Sequence, residues 1–208
     1  MESMEKLKTG TTTVGLICQN AVVLAAEKKA TMGYMVASKD AKKILPIDEH
    51  IAMTIAGLVG DAMALERYIK AELNLYRLQE ESSISVKAAA NLTANILYTR
   101  RFYPYYVQLL MGGYDSAPRL YSLSPDGSVM EEKEYFSTGS GSPMALGVLE
   151  SGYRKGMSTE EGKKIAARAV YAATQRDIAS GGSGIDITVI DSRGVHTLSQ
   201  EDVKALLK

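Results

Sequence analysis

The stretch Gly10-Thr11-Thr12-Thr13-Val14-Gly15-Leu16-Ile17-Cys18-Gln19-Asn20-Ala21-Val22-Val23-Leu24-Ala25-Ala26-Glu27 contains two strand-like runs, Thr12 to Cys18 and Ala21 to Glu27, around the turn pair Gln19-Asn20. Val14, Leu16 and Cys18 alternate with Gly15 and Ile17, the period of a hairpin buried on at least one face. Working outward, His50 to Ala56 reads as a further strand ending in Gly57. Two helices follow. Leu65, Tyr68, Ile69, Leu73 and Tyr76 recur at helical spacing from Asp61, read as the N-cap, to Glu80. Ala89, Leu92, Ile96 and Tyr103 repeat the pattern from Ser85 until Pro104 stops it.

Strands return at Tyr106 to Gly112 and Arg119 to Leu123, and after the turn Pro125-Asp126-Gly127 at Ser128 to Lys133. A second helix pair is predicted over Pro143 to Arg154 and Thr159 to Ile178. Ser158 and Glu161 form a capping box for the latter, and Gly181-Gly182 marks its end. Ile185 to Asp191 and Val195 to Leu198 make a closing strand pair, and Glu201 to Leu207 a terminal helix. Hairpins separated by paired helices are unlike alternating βαβ units. The order predicts an α+β fold with antiparallel sheets in helix, sheet, sheet and helix layers.

At 208 residues the chain fits a single domain, long enough to bury roughly 70% of its unfolded surface without a disulfide or metal staple. Hydrophobic residues at 46% and charged residues at 23% exclude wholesale disorder. Lys and Arg number 24 and so do Asp and Glu, so no net charge recruits nucleic acid or an anionic membrane, and neutrality suits a subunit of a larger assembly. One cysteine excludes an internal disulfide and a cysteine zinc site, and points to a reducing, cytoplasmic setting with Cys18 as a buried thiol. Residues 1–10 carry Glu2, Glu5, Lys6 and Lys8 and no apolar core, unlike a secretory signal. No apolar run approaches the ~18 residues of a membrane span.

The usual catalytic sets are missing. His50 and His196 are the only histidines, and there is no HExxH, no GxSxG and no GxxxxGK[ST]. Gly139-Ser140-Gly141-Ser142 reads either as an anion cradle or as a plain helix entry. Cleavage of the Gly10–Thr11 bond would give Thr11 a hydroxyl and a free α-amine. With a pKa of about 8, that amine serves as the base that a hydroxyl nucleophile otherwise borrows from histidine. Gly10, lacking Cβ, leaves its carbonyl open to Thr11. A threonine-rich first strand after a tail is the plain alternative. Glu27 and Lys43 stand at the ends of apolar stretches, either as solvated strand ends or as a buried pair beside Thr11. Asp177 with Ser180 reads equally as a helix C-cap.

Together these residues resemble proteasome β subunits of the archaeal type. The resemblance is carried by Gly10-Thr11-Thr12-Thr13-Val14-Gly15, Ala26-Glu27-Lys28-Lys29-Ala30-Thr31, Lys42-Lys43-Ile44 and Thr54-Ile55-Ala56-Gly57. It continues through Gly139-Ser140-Gly141-Ser142, Arg176-Asp177 with Ser180-Gly181, and Gly184-Ile185-Asp186. It implies the four-layer αββα sandwich of N-terminal nucleophile hydrolases. It also implies residues 1–10 as an autolytically removed propeptide and 11–208 as the mature domain, cut between Gly10 and Thr11. Thr11 is then the nucleophile, Lys43 tunes it with Glu27 as its partner, Ser140, Asp177 and Ser180 surround its amine, and the Gly57 N–H stabilises the oxyanion. Substrate would lie along Thr31 and Gly57, with a specificity pocket near Ala30, Ala41, Leu45, Ile55, Val59 and Met63 whose apolar walls favour cleavage after large hydrophobic residues.

No cofactor or metal is implied. The implied partners are α subunits and further β subunits in stacked heptameric rings (α7β7β7α7), a regulatory AAA+ ATPase acting through the α rings, and unfolded polypeptide substrates; nucleic acid and membrane are not among them. Three alternatives stand beside this one: a non-catalytic ring component, a bacterial hexameric threonine peptidase, and a small-molecule amidohydrolase of the same fold.

Overall fold

The computed structural model describes residues 10–208 of the chain; the leader before Gly10 lies outside the described residues. In chain order the elements are β1 (Thr13–Ile17), β2 (Val22–Glu27), β3 (Ala30–Met32), β4 (Met35–Ser38), β5 (Ile44–Asp48), β6 (Ile51–Gly57), α1 (Val59–Glu80) and α2 (Val86–Thr99). There follow β7 (Val107–Tyr114), β8 (Pro118–Leu123), β9 (Val129–Glu132), β10 (Tyr135–Thr138), α3 (Ser142–Gly152), α4 (Thr159–Thr174), β11 (Ile185–Asp191), β12 (Gly194–Thr197) and α5 (Gln200–Leu206).

Two five-stranded sheets form, ordered β10-β1-β2-β11-β12 and β5-β6-β7-β8-β9, and β3-β4 is a separate hairpin. The pairings are antiparallel throughout, as the helix-pair spacing predicts. The alternation on β1 explains the layering. Val14 and Leu16 join Cys18 and the apolar side of α3 and α4 (Ala145, Leu149, Ala166, Val170) in one core. Val22, Leu24 and Ala26 of β2 instead meet Ala52, Leu110 and Leu120 of the other sheet. Fully burying a leucine such as Leu24 stabilises by roughly 1.5–3 kcal/mol, so each layer contact contributes many times one such term. The second sheet covers its outer face with Leu65, Ile69 and Leu73 of α1 and Ala89, Ala90 and Leu97 of α2. The result is the predicted αββα sandwich.

Several boundaries differ from the sequence reading, each for a local reason. Asp61 is not the N-cap of α1: the cap position is Leu58, without a side-chain cap bond, and the Asp61 carboxylate accepts the Tyr106 N–H at 2.7 Å. Helix α2 ends at Thr99, before Pro104 can act, because the Thr99 hydroxyl takes the Ile96 carbonyl at 2.7 Å and the chain tightens into i−3 bonds at Arg100 and Arg101. Helix α4 likewise ends at Thr174, whose hydroxyl bonds the Tyr171 carbonyl at 2.7 Å, and not near Gly181. Asp177 and Ser180 therefore lie in a turn beyond the helix. Strands β3, β4, β5 and β10 carry too little alternation to be seen in sequence. Pro46 interrupts β5, which is tolerated because β5 is an edge strand.

Candidate active site

Thr11 leads into β1, and Glu27 is the last residue of the neighbouring β2. Lys43 comes from the other sheet, one residue before β5, where its carbonyl accepts the Ile55 N–H of β6 at 3.0 Å. Stacking the two sheets thus brings all three to one end of the sandwich. Thr11 is 4% exposed, Glu27 0% and Lys43 8%.

The Lys43 ammonium donates to Thr11 Oγ1 at 3.0 Å and pairs with Glu27 Oε1. The Thr11 hydroxyl donates to the Gly10 carbonyl oxygen at 2.6 Å, so it is held against the peptide bond on its own N-terminal side. A buried carboxylate is tolerated only when its lone pairs are taken. Glu27 meets this condition: Oε1 also accepts from Thr12 N at 3.3 Å, and Oε2 accepts from the backbone of Lys29 at 2.7 Å and Gly181 at 2.9 Å. Burial pulls the Lys43 pKa below the ordinary lysine value, with the Glu27 charge opposing it.

A second cluster stands on the other side of the Thr11 nitrogen. Thr11 N donates to Ser140 Oγ at 3.2 Å, and Ser140 and Ser180 both donate to Asp177 Oδ2 at 2.6 Å. With its proton committed to Asp177, Ser180 accepts from the Thr12 hydroxyl at 2.6 Å. Ser140 sits in the turn before α3, so the Gly139–Ser142 stretch is a helix entry and also touches Thr11, with Gly141 N donating to the Thr11 carbonyl at 3.2 Å.

Two cavities flank Thr11, and both are bordered by Thr11 and Gly57. Gly57 has φ +133°, and a Cβ there would lie 2.1 Å from the Tyr106 carbonyl oxygen, so only glycine fits. One cavity, of about 260 Å³, runs past Tyr106, Gln108 and Ser140. The other, of about 330 Å³, is lined by Ala30, Thr31, Ala41, Leu45, Ile55, Val59 and Met63, the full set that the resemblance implies. The Thr31 hydroxyl oxygen is buried beside it with no hydrogen-bond partner among the described residues.

The sequence reading missed Thr12, Lys29, Lys42, Ala62 and Glu66 at this site. For α1 a signal existed: Val59, Ala62, Met63 and Glu66 recur at helical spacing and present one stripe to the cavity. Cys18 is buried and remote from the site, and its thiol is pushed up to about 12 by desolvation, as expected for a packing residue. Among the described residues no group of three or more His, Cys, Asp or Glu is placed to hold a metal, and no helix is long and apolar enough to cross a membrane.

Comparison with known proteins shows the family. The family model "Proteasome subunit" matches residues 7–190. The chain is 50% identical over 206 residues to the proteasome subunit beta of Methanocaldococcus vulcanius, covering 98% of this chain and 92% of the relative. It is 50% identical over 205 residues to that of Ferroglobus placidus, covering 98% and 97%, and 52% identical over 194 residues to proteasome subunit beta 2 of Ignicoccus hospitalis, covering 93% and 91%. The chain therefore belongs to the proteasome subunit family, as a β-type subunit of the proteasome core and part of its peptide-hydrolysing machinery.

Proposed function

We propose that this subunit is a threonine-type endopeptidase whose nucleophile, Thr11, is generated by removal of residues 1–10. One observation carries the reading: the buried Thr11 hydroxyl lies between the Lys43 ammonium at 3.0 Å and the Gly10 carbonyl oxygen at 2.6 Å. In maturation, Thr11 Oγ adds to the Gly10 carbonyl carbon, the C–N bond breaks, and the freed nitrogen takes a proton to become an amine. Water then hydrolyses the resulting ester and releases the leader.

In turnover the Thr11 amine takes the Oγ proton as Oγ attacks the substrate carbonyl. Lys43 stabilises charge growing on Oγ, and Glu27 holds Lys43. Ser140, Asp177 and Ser180 orient the amine, and the Gly57 N–H receives the oxyanion, a kind of contact whose loss costs about 3–4 kcal/mol in other acyl-transfer enzymes. The amine returns its proton to the leaving nitrogen, and water clears the acyl ester. Substrate backbone pairs along Thr31 and Gly57, an extended mode that reads little sequence. The apolar walls at Ala30, Ala41, Leu45, Ile55, Val59 and Met63 favour cleavage after large hydrophobic residues.

Assembly completes the proposal: heptameric β rings stacked between α rings (α7β7β7α7), fed with unfolded polypeptide by a regulatory AAA+ ATPase, in the cytoplasm, where a lone thiol stays reduced. The β3–β4 hairpin supports it, since Met32, Tyr34 and Met35 are at least two-thirds exposed beside the site and suit burial by a neighbouring subunit. The test is the intact mass of the chain expressed with and without an α subunit, for the native sequence and for Thr11→Ala. Loss of residues 1–10 from assembled native chains only, with peptidase activity appearing in step, is expected. Full-length native chains in assembled particles, or activity retained by Thr11→Ala, would refute it.

A further inference from the structure

The cavity beside Thr11 is not apolar to its end. Val59, Ala62, Met63 and Glu66 form one stripe of α1 along its wall, and Glu66 is the one carboxylate among the described residues of the lining. From Val59 to Glu66 the helix rises about 10 Å, so the carboxylate lies two turns beyond the helix start that follows Gly57. Helical side chains lean toward the helix N-terminus, which here is the Thr11 end, so Glu66 reaches back into the space.

Of the three lysines in the lining, Lys43 is paired with a carboxylate and Lys29 is anchored on a backbone carbonyl. Lys43 is held by Glu27 and Thr11, and the Lys29 ammonium donates to the Ile178 carbonyl at 2.8 Å. Lys42 is an exposed side chain at the mouth. Glu66 itself pairs with Lys70 at 2.7 Å through Oε1 only, and its Oε2 accepts no hydrogen bond among the described residues. The two side chains are 21% and 41% exposed, so this i,i+4 tie is weak and open to competition.

We propose that Glu66 is a specificity-determining residue that admits lysine and arginine before the cut bond, in addition to the large hydrophobic residues that the walls take. The inference rests on the peptidase reading above. A basic side chain lays its methylene stem along Leu45, Ile55 and Ala62 and brings its head to the free Glu66 oxygen. An acidic side chain of the same reach meets a like charge there, which sets the order basic over acidic.

The experiment compares two peptides differing only in leucine or arginine before the cleaved bond, on particles assembled with α subunits, and reads the arginine-to-leucine ratio of kcat/KM. Glu66→Gln should lower that ratio about tenfold, the loss of one charge-assisted contact. Lys70→Met, which frees the carboxylate and lies outside the cavity lining, should raise it about threefold. A ratio unchanged in both variants, or raised by Glu66→Gln, overturns the assignment. If Glu66→Gln fails to assemble, the Lys70→Met ratio alone decides. Native particles that cleave the leucine peptide while the ratio stays fixed overturn this inference alone; native particles that cleave neither peptide overturn the peptidase reading and this inference with it.

Discussion

Glu27→Gln is the perturbation whose consequence the structure defines most closely. Four donors converge on this wholly buried carboxylate: the Lys43 ammonium and Thr12 N at Oε1, and Lys29 N and Gly181 N at Oε2. Glutamine keeps the shape but replaces one oxygen with an NH2 that faces donors, leaving Lys43 without its counter-charge. Removing one partner of a buried pair costs about 3–5 kcal/mol. The charge component has a ceiling, because Lys43 can lose its proton instead. At 1.36 kcal/mol per pH unit below the ordinary lysine value near 10.4, that ceiling is about 4 kcal/mol at about pH 7.5. For a chain of this size the total lowers Tm by about 6–20 °C.

Catalysis should fall at least about a hundredfold, the scale of losing one donor to developing charge. The direction with pH is also set. Burial already lowers the Lys43 pKa against the raising influence of Glu27. Deleting that influence moves the alkaline limb of residual activity to still lower pH. Because the unfolded variant then binds more protons than the folded one, its stability deficit shrinks as pH rises from its own folded Lys43 value to the native folded value, above which both chains gain alike. The assays are kcat against pH on a fluorogenic peptide and thermal unfolding across the same range. Activity within threefold of native with an unmoved alkaline limb would refute the role given to the pair.

Other outcomes follow from single contacts. In Gly10→Ala the new Cβ would lie 1.9 Å from the Ala179 Cβ and 2.7 Å from Ser140 Oγ. Removal of the leader should slow at least about tenfold, since a misplacement of order 1 Å costs more than that in rate, as a mass time course of assembling particles would show. In Gly57→Ala the φ of +133° and the Tyr106 carbonyl 2.1 Å from the new Cβ should cost at least about 2 kcal/mol and most of the activity, read by denaturant unfolding and peptide turnover. Cys18, with its thiol pushed up to about 12, should resist alkylation near pH 8 in the folded chain and label fully in denaturant; rapid labelling of the folded chain would contradict its burial.

Much of the fold was legible because helices and hairpins are written in near neighbours. The alternation of Val14, Leu16 and Cys18 marked the first strand, and the Ser158–Glu161 capping box placed the start of α4. The short or proline-broken strands β3, β4, β5 and β10 were not legible, since their residues pair through partners elsewhere in the chain. Helix ends were misplaced where a threonine hydroxyl, and no proline or glycine, closed the last turn.

For the site, the shortage of histidine and a glycine before a threonine offered Thr11 as a candidate nucleophile beside the plain reading of a threonine-rich strand, and the resemblance supplied the choice and the remaining names. Composition and spacing could not say whether Glu27 and Lys43 were solvated strand ends or a buried pair, nor whether Asp177 was a site residue or a helix cap. Tertiary structure decided each of these by burying one end of the sandwich. Stacking two sheets seats the Lys43 ammonium on Glu27, and the turn beyond α4 carries Asp177 to Ser140, 37 positions away. It also turned Glu66, an unremarkable surface charge by sequence, into part of a cavity wall. Periodicity records which face of an element is apolar. The chemistry of a charged side chain depends on what the rest of the chain packs around it, and only the assembled fold supplies that.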